Sequence, residues 1–334
     1  VLVKKQSLRV SIVLSLLLGL TVTMVLAFLA DFKSTVLALR SMQLAWLPLL
    51  LLLSLLHFLF RFLRWEYLLR TLGIRLRKGE SLGIFLSGFL FTLTPGKIGE
   101  VLKAWLVRKL HGEPVAKVIP VVIAERYCDA GAMLLLASVG VLGSGRGGIL
   151  WLLILVLLLL VYLAGSSPVL RRLLPRLPGR SAQVAESILD QSRALLRWKL
   201  LLPMLLYSAV AWFWQCWALA LSVRALGSRL SLGEAVFNYS LSTLAGAVAF
   251  LPGGLGVTEG SLALMLIKRG GLVAPDAAAA TLLLRLSTLW FAVLIGLIAF
   301  LWLARRWKGK SSLLRDIEES EGGQLFDLRK ENED

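Results

Sequence analysis

The chain has 334 residues, of which 57% are hydrophobic, with two cysteines, two histidines and a formal net charge of +17; its mean hydropathy is +0.79. That apolar share excludes a soluble globular domain and points to a chain whose solvent is lipid. The basic residues gather at the ends of apolar runs, as membrane topology demands, so the charge does not indicate nucleic acid. Cys128, Cys216, His57 and His111 are too few and too scattered for a disulfide framework, a CxxC centre, a histidine-held metal or a Ser/His/Asp triad, and no cofactor is expected.

A membrane-crossing helix needs about 20 apolar residues. In chain order six segments meet that test, at residues 10–30, 43–63, 118–142, 148–165, 200–223 and 276–303. The first is too long for a signal-peptide core and no A-x-A site follows it, so it reads as a retained helix. Two further apolar stretches are broken: residues 81–108 at Pro95-Gly96, and residues 235–267 at Pro252-Gly253-Gly254. Each arm is shorter than a crossing. Irregular backbone at membrane depth needs shielding by protein or a water-lined cavity, so both stretches read as re-entrant helical hairpins. The fold expected is an all-α integral membrane protein of eight hydrophobic segments, six spanning and two re-entrant.

Basic residues test this arrangement. With the N-terminus in the cytoplasm, the inner stretches hold 28 of the 37 Lys and Arg, and both termini are cytoplasmic. If both broken segments crossed fully, the basic stretch 171–199 would fall outside, against the rule. The expected organisation is a first membrane repeat (1–167, its last span, 148–165, beginning the second half), a basic cytoplasmic linker (168–199), a second repeat (200–310) and an acidic cytoplasmic tail (311–334).

The repeat shows in R-T-L-G-I-R-L at residues 70–76 against R-A-L-G-S-R-L at 224–230, and in S-L-G at 81–83 against 231–233. A Pro-Gly break follows each. Glu100 and Glu259 each precede an arginine, Arg126 and Arg285, by 26 residues. Three crossings per copy invert the second copy relative to the first, which is the inverted-repeat plan of many secondary transporters, and would bring the hairpin tips together near the midplane.

The residues able to carry chemistry cluster at these breaks. At each one, unpaired amides at the start of the second half-helix favour an anion. Pro95, Gly96, Lys97 and Gly99 form the first such site, and Pro252, Gly253, Gly254 and Gly256 the second. Glu100 and Glu259 either cap these helix starts or work as membrane-depth carboxylates. In E-R-Y-C-D, Arg126 and Asp129 sit three apart and can pair; Arg126 lies about 13 Å beyond Lys117 along the helix, near the bilayer centre. Arg285 holds the corresponding place in the last span, and salt bridges from either arginine to Glu100, Asp129 or Glu259 could be purely architectural. His57, Arg61 and Arg64 share one helix face, followed by Trp65. They form either an interfacial anchor or a cytoplasmic vestibule that gathers anionic headgroups.

R-F-L-R-W (61–65), T-P-G-K-I-G-E (94–100), E-R-Y-C-D (125–129) and L-P-G-G-L-G-V-T-E (251–259) resemble, in order, the landmarks of the flippase-like lysylphosphatidylglycerol synthase transmembrane region family, over about residues 10–305. The resemblance implies a bacterial or archaeal cytoplasmic-membrane protein that translocates charged phospholipids or polyprenyl-linked glycolipids. Lys97 stands where the family pattern favours Arg, which weakens bidentate phosphate contact. No aminoacyl- or glycosyl-transfer domain is attached, so synthase activity is not carried over and no enzyme is expected.

The expected function is therefore lipid translocation. An anionic headgroup enters beside Arg61 and Arg64, passes between the hairpin tips and is held by Arg126, Arg285 and the half-helix amides. The expected partners are membrane lipids, with a second copy or a lipid-modifying enzyme also open. Rival readings are a secondary transporter for a soluble anion, a membrane-embedded lipid-phosphate transferase with Glu100 or Asp129 as general base, and a non-transporting subunit.

Overall fold

The computed structural model describes residues 31–92, 99–142, 179–249 and 251–306, with Thr21, Met24, Val25, Phe28 and Val156 as isolated positions. The span expected at 10–30 (apart from Thr21, Met24, Val25 and Phe28), the span at 148–165 (apart from Val156), the linker over 168–178 and the tail over 311–334 lie outside these residues. Every regular element among the described residues is helical. In chain order they are α1 (Phe32–Arg40), α2 (Leu47–Thr71), α3 (Lys78–Ser87), α4 (Gly99–His111), α5 (Val115–Leu142), α6 (Gly179–Leu195), α7 (Trp198–Ala225), α8 (Leu232–Val248), α9 (Val257–Lys268), α10 (Ala274–Arg285) and α11 (Phe291–Arg306).

Three helical stretches are long and apolar enough to cross a membrane: Leu44–Thr71, Trp198–Ala225 and Ala274–Arg306. At 1.5 Å per residue the first two run about 42 Å, more than a hydrocarbon core. α5 is equally long but carries Lys117, Glu125, Arg126 and Asp129. The outward faces are greasy. Leu49, Leu52, Leu55, Leu59 and Leu63 on α2, and Leu294, Leu297, Ile298, Leu301 and Trp302 on α11, are exposed. Apolar stripes of that extent suit lipid as the surrounding medium.

Helix ends follow from local chemistry. The repeated R-x-L-G-x-R-L element closes α2 and α7 in the same way, because Gly73 and Gly227 both take left-handed φ, 72° and 83°. Around them the amides of Gly73 and Ile74 reach the carbonyls of Arg70 and Leu69, and those of Gly227 and Ser228 reach Arg224 and Val223. These paired bonds are the Schellman pattern. The S-L-G match does not survive as an equivalence. Ser231 caps α8, exchanging bonds with Glu234, whereas Ser81 lies inside α3, accepting from Trp65 Nε1 and donating to Glu66.

At both breaks the arms on either side pack against each other. The second break needs its glycines: Gly253, Gly254 and Gly256 all have positive φ, and a Cβ at Gly246 would overlap the Thr258 hydroxyl. The hairpin arms are also exchanged across the molecule. α3 packs on α11, and α8 packs on α5, while α2 and α7 pack along each other.

One departure from the expected unbroken last span is a π turn at Leu286–Trp290, between α10 and α11. Such turns release carbonyls from the four-residue ladder. Here Ser54 of α2 donates to the Ser287 carbonyl at 2.7 Å, and the Ser287 and Thr288 hydroxyls bond back to Leu283 and Leu284.

Two apolar cores result. One gathers Trp65, Leu68, Ile84, Phe85, Leu106, Val121, Phe300 and Leu303; the other gathers Leu50, Leu53, Cys216, Ala235, Leu262, Leu266 and Leu283. α2 runs through both, with His57 between Leu53 of the second core and Phe58 of the first. The seam between α11 and the first hairpin is tight: a Cβ at Gly296 would lie 2.5 Å from the Leu90 amide nitrogen and 3.0 Å from the Leu86 carbonyl oxygen. Gly296→Ala is expected to cost about 1–3 kcal/mol by overpacking, read as a lower thermal midpoint in detergent. Gly233→Ala, with nothing within 4 Å, is the control and should not lose stability.

Candidate functional site

Between the two cores, α2, α5, α7 and the α10 junction each present polar residues at one level. The centre is Asp129 of α5, 6% exposed. Its Oδ1 accepts from Arg64 at 2.6 Å and from Trp212 Nε1 at 3.1 Å; its Oδ2 lies 2.9 Å from Arg126 and 3.5 Å from Arg61. Three guanidiniums and an indole thus converge on one carboxylate. One turn earlier, fully buried Glu125 lies 3.6 Å from Arg64 and accepts from Lys103 of α4. Lys103 also sits over the rings of Trp65, at 4.7 Å, and Phe85, at 5.6 Å. Both contacts favour a cation in a site this dry. Its stem runs over Gly88, where a Cβ would touch Lys103 Cγ.

A second ion pair lies across the cavity. Glu259, one turn into α9, accepts from Arg285 Nε at 2.5 Å through Oε1 and from the Gly256 amide at 2.7 Å through Oε2. Arg285 also donates to the Gly253 carbonyl at 3.0 Å. Glu259 is therefore a cap and a buried counter-ion at once, and Arg285 ties α10 to the backbone of the break.

These groups surround a cavity of about 430 Å³. Arg61, Lys103, Arg126 and Arg285 line it with Asp129 and His57, and Gly253 and Gly254 of the second break contribute backbone. His57 Nδ1 lies 2.8 Å from the Ala211 carbonyl. A carbonyl only accepts, so Nδ1 carries the proton in this contact. Phe58, Phe85, Phe89 and Leu289 give the cavity an apolar wall.

The expected site residues divide accordingly. Arg61, Arg126, Asp129, Gly253, Gly254 and Arg285 come together at the cavity, with Glu259 behind Arg285 and Gly256 at its cap. Pro252 opens the short 3₁₀ turn of the break. Arg64 does not form a vestibule: it is fully buried, enclosed by Asp129, Glu125 and Ser208. His57 and Trp65 are likewise interior, at 4% and 0% exposure, which overturns the interfacial-anchor alternative. Pro95, Gly96 and Lys97 lie outside the described residues, and Gly99 and Glu100 are described only as the first backbone of α4. Sequence reasoning missed Lys103, Glu125, Trp212 and Gln215. Glu125 and Asp129 are four apart in a run otherwise apolar apart from Arg126, a spacing that signals one shared face; Lys103 looked like part of an amphipathic arm.

Residues 12–296 match the family model described as the lysylphosphatidylglycerol synthase TM region. The chain belongs to that family. Within this membrane-protein family it is similar to a UPF0104 membrane protein of Methanocaldococcus jannaschii, 26% identical over 64% of this chain and 93% of that protein. It is also similar to one of Pyrococcus horikoshii, 24% identical over 85% of this chain and 94% of that protein. The matched region takes in both Pro-Gly breaks, Asp129, Glu259 and Arg285, and thus the whole cavity.

The ion network makes a stability prediction. Asp129→Ala leaves three arginines without their shared counter-charge and is expected to destabilise by about 3–5 kcal/mol, measured by denaturant titration in detergent. Lys117→Ala, which breaks the partly exposed pair with Glu113 at 2.9 Å, should cost under about 1 kcal/mol.

Proposed function

We propose that the protein translocates an anionic lipid headgroup through the cavity between its hairpins, the acyl or prenyl chains staying in the surrounding lipid. The observation that carries this is a cavity lined by Arg61, Lys103, Arg126 and Arg285 with Asp129 as the one carboxylate among the described lining residues. Cations in an apolar layer are costly unless they meet anions, and such residues in membrane helices mark substrate paths. The apolar wall of Phe58, Phe85 and Phe89 offers a place for the first methylenes of a chain.

In this reading the chain has six spans and two re-entrant hairpins, related as an inverted repeat, in a cytoplasmic membrane with both termini inside. The exchanged packing of α3 on α11 and α8 on α5 supports it, as do the twin glycine caps at Gly73 and Gly227. So does the contact between His57 and Ala211, which hold corresponding places before the two R-x-L-G-x-R-L elements: corresponding residues touch only beside a two-fold axis. The lipid leaves unaltered, and the protein acts as a carrier rather than an enzyme, with membrane lipids as its partners.

The test is translocation of fluorescent anionic phospholipid in liposomes holding the purified protein. The wild type should accelerate exchange between leaflets, and the Arg126→Ala, Arg285→Ala double variant should lose at least about tenfold of that rate, about 1.4 kcal/mol in barrier. Unchanged transport in the double variant removes these arginines from the path. A change in the lipid's mass would instead favour a transferase.

A further inference from the structure

The two sides of the cavity differ in chemistry. Arg61 stands nine residues before Arg70, and Gln215 nine residues before Arg224, so the two hold corresponding positions on α2 and α7. Both line the cavity. Where one half places a guanidinium, the other places a neutral amide. Gln215 is 2% exposed and its Oε1 has no hydrogen-bond partner, an arrangement that disfavours the empty site and favours a ligand able to complete it. Beside it the cavity wall carries the hydroxyls of Tyr239 and Thr243 and the ring of Trp212, 6.3 Å from that of Tyr239.

An ionised phosphate brings acceptors only, so it matches the arginines and leaves Gln215 Oε1 unsatisfied. An ammonium would bring donors, but among the described residues the cluster already holds five cations, Arg61, Arg64, Lys103, Arg126 and Arg285, against three carboxylates, Glu125, Asp129 and Glu259. A further positive charge in this low-dielectric layer is repelled. A hydroxyl donates and accepts without charge, and an amide is its natural partner.

We propose that the cavity takes a phosphate whose substituent carries hydroxyl groups, with Arg61 and Arg126 facing the phosphate and Gln215 reading the hydroxyls, and that it disfavours headgroups ending in an ammonium. For a lipid ligand this rests on the translocation reading above. The chemistry is shared by a polyol phospholipid and by a soluble polyol phosphate.

Equilibrium competition for the purified full chain in detergent, read by native mass spectrometry, separates the terms. The probes are phosphatidylglycerol, phosphatidylmethanol and phosphatidylethanolamine with identical acyl chains, and soluble glycerol 3-phosphate. Phosphatidylglycerol and phosphatidylmethanol carry the same charge and differ in hydroxyls. The first should bind about tenfold tighter, and the ethanolamine lipid weaker than either. Gln215→Leu should bring phosphatidylglycerol down to the level of phosphatidylmethanol and leave the latter unchanged. Gln215→Met, closer in shape, gives the same readout if the leucine variant does not fold. Equal binding of these two lipids by the wild type, or a preference that survives both substitutions, overturns the proposal. Glycerol 3-phosphate binding as tightly as phosphatidylglycerol, and falling with Gln215→Leu, upholds the headgroup chemistry while overturning the lipid source. A preference that holds in binding while no lipid crosses liposomes sinks the translocation reading and leaves the role of Gln215 standing.

Discussion

The arrangement of the described helices depends on one carboxylate. Asp129 holds Arg61, Arg64 and Arg126 within 3.5 Å or less, and Trp212 besides. Two unit charges 4 Å apart interact by about 4 kcal/mol at an effective dielectric of 20, so three guanidiniums could not share this layer without the anion between them. The contacts fix depth as well as partner. α2 must set Arg61 and Arg64 level with the middle of α5, and α7 must bring Trp212 and Ser208 to the same height. Glu125 then passes the constraint to Lys103, so the second arm of the first hairpin is held by charge as well as by packing.

Apolar packing alone would not do this. In lipid, helices gain little by burying leucine against leucine, because the tails outside are equally apolar; close approach and polar contacts decide. The close approaches are at small residues. Gly296 admits the Leu86–Leu90 backbone, Gly83 admits Trp302 and Leu303, and Gly246 meets Gly254 and Thr258 at the second break. Ala277 to Ala280 of α10 are fully buried in a row. The glycine contacts set distances between elements, and the ion pairs set their register.

Much of this was legible in the sequence because each feature is local. A left-handed glycine after R-x-L, three glycines after a proline, and an arginine and aspartate three apart on a helix all act through neighbours in the chain. The pairing of Glu259 with Arg285 was legible for a different reason: its 26-residue spacing recurs. What escaped was burial that depends on partners distant in sequence. Arg64 reads as a headgroup-facing base until Ser208, 144 residues on, is seen to enclose it. Lys103 meets Glu125 only through the packing of α4 on α5, 22 residues apart in sequence. The π turn was hidden because no proline or glycine marks it, and the Ser54 hydroxyl that takes up its Ser287 carbonyl comes from another helix. The S-L-G match misled for the opposite reason, since three common residues can recur without sharing a structural place.

The two hairpins are held by unequal means. The first is fixed by Lys103 in a fully desolvated pair with Glu125, under two aromatic rings. The second is fixed by Arg285 and Glu259, whose arginine keeps one face to the cavity and one bond to a backbone carbonyl. In the first, Glu125 is shared between Lys103 and Arg64, at 3.6 Å from the latter. In the second, Glu259 divides its oxygens between Arg285 and the Gly256 amide, and Arg285 faces a cavity also lined by Arg61, Lys103 and Arg126. Arg285 is thus the cation whose counter-ion and backbone partner both belong to the second break, while Lys103 is held by a carboxylate of α5, a different element.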